Sequence, residues 1–267
     1  MLNGLSQINI ELSAICDKRN LCPFCGHQDD KINPNKKGMM RFGLFTCIVD
    51  QLPVGIIVQM HRDGEPTAYD FLGEALYYLR SKFITSIVTH GENLIKKADE
   101  IIGNCTSLTV SAFNGDTNMD WQIENIKKFL ELKGDRPPIV NIKIVGSMPP
   151  EKEKLYAALD VPIIRRLLHV PDGNYKYARR NPTVPEHGIC LDFLHHPSVD
   201  WRGILYVCNR LDSKDQGLLG DLNTSALDEL WNSPKRMEWL EAHKKGRRDQ
   251  ASPLCMKCLY YGVPSEV

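Results

Sequence analysis

Six short apolar runs recur through the first two-thirds of the chain: Gln7–Leu12, Val54–Met60, Phe83–Thr89, Leu108–Phe113, Ile139–Val145 and Ile163–Val170. Each is rich in Ile, Val, Leu or Phe and has the length of a strand rather than a helix. Between them lie stretches whose apolar positions return every three or four residues: Met40–Leu52, Ala68–Leu79, Asn93–Ile102, Trp121–Leu132 and Glu151–Leu159. That periodicity predicts amphipathic helices. Gly, Pro and Asn mark the joins, as at Gly91, Asn93, Gly134 and Pro137. Strands alternating with helices imply parallel βαβ units, hence an α/β fold. Six units are too few to close an eight-stranded barrel and suit an open or partial one.

Near residues 182–187 the rhythm changes, and a boundary at about residue 185 divides the chain into 1–185 and 186–267. The second part reads as turns (Asp200–Gly203 and Asp212–Gly220), one short strand at Ile204–Val207 and helices around Ser225–Trp231 and Pro234–His243. Ser233 before Pro234 has the form of an N-cap followed by a first-turn proline.

Composition narrows the function classes. The 267 residues carry 33 basic and 33 acidic side chains, so no net charge points to nucleic acid or an anionic membrane. No apolar run is long enough to span a bilayer. The N-terminus lacks the basic and apolar regions of a secretory signal. The expectation is therefore a cytoplasmic protein, in which nine cysteines are unlikely partners for lasting disulfides.

Seven of those cysteines form two groups. Cys16, Cys22 and Cys25 follow the first strand, whereas Cys190, Cys208, Cys255 and Cys258 are spread through the last third; Cys47 and Cys105 stand apart. Three thiolates make an incomplete ligand set that leaves one iron of a [4Fe–4S] cluster open, and four saturate one. Zinc is the alternative at both places, with a residue such as His27 as fourth ligand to the first group.

The first group, with Phe24 before its last cysteine, resembles the cysteine triad of the radical S-adenosylmethionine (radical SAM) enzymes. Asp63, Gly64, Glu65 and Pro66 after the second strand are similar to that family's Gly-Glu-Pro motif, and Thr89, His90 and Gly91 to its Thr-Asn-Gly. Gly203, Cys208, the Gly220–Asn223 and Leu230–Pro234 stretches and the final Cys255 and Cys258 resemble, in that order, the SPASM domain and its shorter twitch form. The five residues between Cys16 and Cys22 are two more than the family's usual spacing.

The resemblance implies a partial (β/α)6 TIM-like barrel with a small C-terminal twitch-type cluster-binding domain. It further implies two [4Fe–4S] clusters and S-adenosylmethionine as cofactors. Cys16, Cys22 and Cys25 would hold the open cluster, and Cys190, Cys208, Cys255 and Cys258 the auxiliary one. Gly64, Glu65 and Pro66 would receive the methionine ammonium, through turn carbonyls and the carboxylate. Phe24 would pack on the adenine, Ser111 and Asn114 would bond the ribose or carboxylate, and Ile144–Gly146 would form the apolar adenine wall or pack in the core. Arg165 or Arg166 would face the substrate and bind an oxygen or assist deprotonation, and His169 would line the substrate or the core.

The activity so implied is reductive cleavage of S-adenosylmethionine to a 5′-deoxyadenosyl radical, followed by oxidation of a small polar substrate, as in twitch dehydrogenases acting on amino-sugar or aminocyclitol alcohols. Peptide modification is the alternative. Radical epimerisation would need a thiol hydrogen donor, for which Cys47 and Cys105 are the spare cysteines, each also read as a buried small hydrophobe. A zinc or iron–sulfur scaffold protein is the non-catalytic alternative. The expected partners are a small-molecule or peptide substrate and a flavodoxin or ferredoxin reductant, with no membrane and no nucleic acid.

Overall fold

The computed structural model describes residues 2, 4–16, 37–166, 189–210, 212 and 214–258. All six expected strands form: β1 (Gln7–Ile10), β2 (Ile57–Gln59), β3 (Ile84–Thr89), β4 (Ser107–Phe113), β5 (Ile139–Val145) and β6 (Ile163–Arg166). The remainder of the expected sixth strand, with His169, and the boundary near residue 185 lie outside the described residues.

The helices are α1 (Phe42–Val49), α2 (Leu72–Leu79), α3 (Ala98–Ile101), α4 (Met119–Lys133) and α5 (Pro150–Ala157). The C-terminal part adds α6 (Leu191–His195), β7 (Ser198–Val199), β8 (Ile204–Tyr206), β9 (Leu218–Asp221), α7 (Leu227–Trp231), α8 (Pro234–Lys244) and α9 (Pro253–Lys257). No helix among the described residues is long and apolar enough to cross a membrane.

One sheet holds all nine strands, in the order β6-β5-β4-β3-β2-β1-β7-β8-β9. The first six pair in parallel, and β7 joins β1 in parallel before β8 and β9 continue antiparallel. The sheet does not close: β6 ends it on one side and β9 on the other. This is the open barrel expected from six units, lengthened by a hairpin from the C-terminal part.

Alternation along each strand separates two environments. Ile8, Ile10, Val58, Ile87, Leu108, Val110, Ile142 and Ile144 are buried in the core. They pack with helical residues such as Phe45, Leu76, Ile126, Phe129 and Tyr156. The helical layer also buries Gln122, whose amide is fully used: Nε2 donates to the carbonyls of His90 (2.5 Å) and Ser111 (3.1 Å), and Oε1 accepts from the Tyr156 hydroxyl (2.6 Å). Residues of the opposite phase, including Asn9, Gln59, Thr109 and Lys143, line a cavity of about 630 Å³. A hollow of about 710 Å³ opens at the other end of the sheet, beside Asn104, Pro137 and Asp160, away from the cysteine groups.

Candidate active site

Beyond β1 the chain runs through Glu11 and Ser13 to Cys16, which is half-buried. Ser13 bridges to Met39, and Ala14 N donates to Gly38 O at 2.9 Å, so the two ends of the cysteine-bearing loop are joined at its base. Cys22, Phe24, Cys25 and His27 lie in that loop, outside the described residues.

The turn after β2 docks on this base. Glu65 N donates to Ile15 O at 2.9 Å. A Cβ on Gly64 would stand 2.0 Å from Ser13 O and 2.6 Å from Ala14 Cα, so glycine permits the contact. Glu11, buried at the exit of β1, holds the same turn. Its Oε1 accepts from Asp63 N (3.0 Å) and Gly64 N (3.2 Å), and its Oε2 from Trp201 N (3.3 Å). Burial, then the neighbouring Asp63, pushes the Glu11 carboxyl up to about 7 against the pull of Arg62.

Glu65 itself is 2% exposed and committed within the protein. Oε1 accepts from Thr67 N (2.9 Å), Thr67 Oγ1 (2.5 Å) and Thr89 Oγ1 (2.7 Å); Oε2 accepts from His90 N (3.0 Å) and lies 3.3 Å from His90 Nε2. The carboxylate therefore splices the β2 turn to the end of β3, with Pro66 opening a short 3-10 turn beside it. This differs from the expectation that the carboxylate meets an ammonium directly. The carbonyls of Asp63 and Gly64 accept nothing from the described residues and remain as acceptors at this turn.

The register sorts the other expected site residues. Ser111 is paired with the cavity-lining Lys143 and shares its face. Of the expected wall Ile144–Gly146, Ile144 is in the opposite phase and buried in the core, whereas Val145 lines the cavity. Asn114 is exposed beyond β4 and accepts from Lys152 Nζ at 3.0 Å. Arg165 points away from the cavity into an exposed ion pair with Glu153, whereas Arg166 lines the cavity. The strand alternation that divides Ile144 from Val145 also divides these two arginines.

Two cavity residues escaped the sequence reading. Lys143 lines the interior from β5, and burial together with Arg166 pushes its ammonium down to about 8. His61 follows β2, and its buried Nδ1 has no hydrogen-bond partner among the described residues. Burial, then Lys143, His196 and Arg166, pushes this imidazole down to about 3, so it is neutral at physiological pH. The signal for Lys143 was present in β5: Asn141 and Lys143 interrupt an otherwise apolar run at alternate positions, as a strand with one polar face would.

Opposite lies the C-terminal part. His196 Nε2 is 2.6 Å from Asn9 Oδ1, and Asp192 accepts from Arg210 Nε (3.0 Å) and Nη2 (2.6 Å). Burial opposes ionisation of Asp192, but the hydrogen bonds from His196 and Arg210 hold its carboxyl well below the usual range.

Cys190, Cys208, Cys255 and Cys258 are all buried free thiols. Burial comes first in pushing Cys208 and Cys255 up, and Cys190 adds to both, which marks the thiols as neighbours. Arg210 N donates to Cys208 Sγ at 3.4 Å, Ser198 Oγ to Cys208 O at 2.7 Å, and Arg248 Nε to Cys255 O at 2.6 Å. No three His, Cys, Asp or Glu side chains among the described residues are grouped to hold a single ion. Four cysteines are the number of protein ligands that a [4Fe–4S] cluster takes, and also the number a structural zinc takes.

Cys47 is exposed on α1, against the expectation of burial. Cys105 is buried, its thiol donating to Ser107 O at 3.1 Å and pushed up to about 12 by burial. Neither lines the cavity.

Comparison with known proteins completes the description. Residues 190–259 match the SPASM family, described as an iron–sulfur cluster-binding domain. No curated protein is a significant match by sequence. Among solved structures, the chain is similar to BtrN in complex with AdoMet and 2-DOIA, with a TM-score of 0.60 and 15% identity over 95% of this chain and 92% of that one. It is similar also to SuiB of Streptococcus suis bound to S-adenosylmethionine, with a TM-score of 0.64 and 15% identity over 96% and 72%. SuiB bound to its precursor peptide SuiA gives 0.56 at 14% identity. The chain thus has the open-barrel fold of these proteins, and its residues 190–259 are similar to the SPASM family, as the motifs led us to expect.

Proposed function

We infer that this chain is a radical S-adenosylmethionine enzyme with a SPASM-type auxiliary cluster, and that it oxidises a small polar alcohol. The observation that carries the reading is the docking of the Gly64–Pro66 turn on the base of the cysteine loop, through Glu65 N and Ile15 O. That contact supports the reading, because the turn carbonyls that would accept an ammonium then stand at the base of the loop that bears the cysteine triad.

When bound, the first cluster would supply the electron that splits S-adenosylmethionine into methionine and a 5′-deoxyadenosyl radical, which takes a hydrogen atom from the alcohol carbon, and the second would take the one further electron that is lost, together with a proton, as the carbonyl forms. Cys16, Cys22 and Cys25 would hold the first, leaving one iron open. Cys190, Cys208, Cys255 and Cys258 would hold the second, with all its irons capped by protein. The carbonyls of Asp63 and Gly64 would receive the methionine ammonium, and Ser111 would meet the cofactor from the interior face of β4. Arg166 would donate to a substrate oxygen, while the strand walls keep water from the radical. A flavodoxin or ferredoxin is the reductant this chemistry calls for.

Two variants test the division of labour. Cys22→Ala should abolish 5′-deoxyadenosine formation in the dithionite-reduced, reconstituted protein; undiminished cleavage would contradict the triad. Cys255→Ala should keep cleavage and lose product, and unchanged product formation by a soluble variant would remove the electron-accepting role from the C-terminal cluster. The likeness to SuiB supports a second reading, in which the substrate is a side chain of a ribosomally made peptide. Among the described residues, no thiol lines the cavity to return a hydrogen atom in an epimerisation.

A further inference from the structure

One wall of the cavity carries positive charge that no carboxylate among the described residues balances. Lys143 on β5 and Arg166 on β6 share the cavity face of neighbouring strands; Val145 pairs with Arg166, and Lys143 stands two residues before Val145. Among the described residues, neither side chain has a carboxylate partner. The acids that line the cavity are engaged elsewhere: Asp192 takes Arg210 through two hydrogen bonds and lies 3.5 Å from His196, and Asp63 lies 3.7 Å from Arg62 Nε. The buried Nδ1 of His61, without a partner among the described residues, adds a polar atom to the same cavity.

Lys143 is half-buried and Arg166 reaches solvent at the cavity's edge; a partly buried cation beside a second one is costly unless something neutralises it. The repulsion is visible in Lys143, whose ammonium is pushed down by burial and by Arg166. A cavity-facing pair of cations with no internal counter-charge is the arrangement that recognises an oxyanion.

We propose that the substrate carries a carboxylate or phosphate group that docks between Lys143 and Arg166. The proposal rests on the radical SAM reading, which makes this cavity the substrate's. Within that reading it selects an acidic sugar or hydroxy acid over an amino-sugar or aminocyclitol, whose ammonium would add a further positive charge beside two others. The carboxylate of S-adenosylmethionine is the competing ligand, since Ser111, which would meet the cofactor, pairs with Lys143, and the titration below separates the two. The Gly64–Pro66 turn and the cysteine loop belong to β1 and β2, whereas Lys143 and Arg166 lie on β5 and β6, at the far edge of the parallel strands.

Isothermal titration of the reconstituted holoenzyme at pH 7 and low salt tests this with glucuronate, glucosamine, inorganic phosphate and S-adenosylmethionine as probes. Glucuronate should bind at least about tenfold more tightly than glucosamine, and Lys143→Gln or Arg166→Gln should each weaken glucuronate about tenfold. Lys143→Arg should restore binding, which a merely unfolded Lys143→Gln protein would not explain. Displacement of glucuronate by phosphate at lower concentration would assign a phosphate ester, and its failure to displace would assign a carboxylate. Equal binding of glucosamine and glucuronate would overturn the proposal. So would loss of S-adenosylmethionine affinity in both variants with glucuronate unaffected, since the pair would then serve the cofactor. The class of enzyme is read separately, from 5′-deoxyadenosine formation by the wild-type protein. A chain that binds glucuronate but never cleaves S-adenosylmethionine would sink the radical SAM reading and leave the anion site standing.

Discussion

Lys143 illustrates a residue whose place in the site costs the fold stability. Its folded-state pKa of about 8 lies below the ordinary 10.5, because burial and Arg166 disfavour the ammonium. Above pH 10.5 the side chain is neutral in both folded and unfolded states, and the penalty is absent. As pH falls through that value the unfolded chain takes the proton first, and the penalty grows until it is complete below about 8. Lys143→Met should therefore raise stability at pH 7 by about 1–3 kcal/mol, discounted for the water that reaches the cavity. The gain should shrink between pH 8 and 10.5, the window set by the two pKa values. Thermal or urea melts at either end of that window measure it, and a variant less stable than wild type at pH 7 would contradict the charge argument. The same scale shows where the sequence stops informing. Arg165 and Arg166 are adjacent and alike in composition, and only the pairing of Val145 with Arg166 decides which one faces the cavity. Ile144 could not be placed for the same reason, since an isoleucine in a strand suits a core position and a ligand wall equally.

At the scale of elements, the Gly64–Pro66 turn does more than its sequence declares. Three residues resembling a cofactor motif prove to be a structural joint: Glu65 fastens β2 to β3, and Gly64 lets the turn meet Ser13. Gly64→Ala should cost about 1–3 kcal/mol through overpacking and push the turn off the cysteine loop, with 5′-deoxyadenosine formation falling alongside. A fully active Gly64→Ala enzyme would show that the close approach is dispensable. The strands β1 to β6 were legible because their apolar runs and the intervening helical periods agree. The strand β9 was not, because Gly220 and Asp221 read as turn residues. Gly220 sits in a strand because a Cβ there would stand 2.5 Å from Leu230 Cδ2 of α7, so close helix packing, invisible locally, overrides the turn signal. The cap at Ser233 was legible, its hydroxyl accepting from Arg236 N at the start of α8.

At the scale of the whole molecule, a single sheet connects the two cysteine groups. The parallel strands carry the open triad's loop at the end of β1, and β7 pairs with β1 directly, so the SPASM part is built onto the strand that leads to Cys16. Glu11 reinforces the junction by holding both the β2 turn and Trp201 N. The order of motifs in the sequence was enough to expect two cluster sites on one open barrel. It could not show that the cavity would carry cations that no carboxylate among the described residues balances, because that follows from strands brought together in space.

The central claim, an open cluster that cleaves S-adenosylmethionine beside a closed auxiliary one, is tested most directly by one measurement. Iron and acid-labile sulfide are counted in the anaerobically reconstituted protein, which is then reduced with dithionite in the presence of S-adenosylmethionine and assayed for 5′-deoxyadenosine. The account predicts about eight irons per chain, two four-iron clusters, together with cleavage. Zinc in place of iron, with no 5′-deoxyadenosine formed, would contradict it.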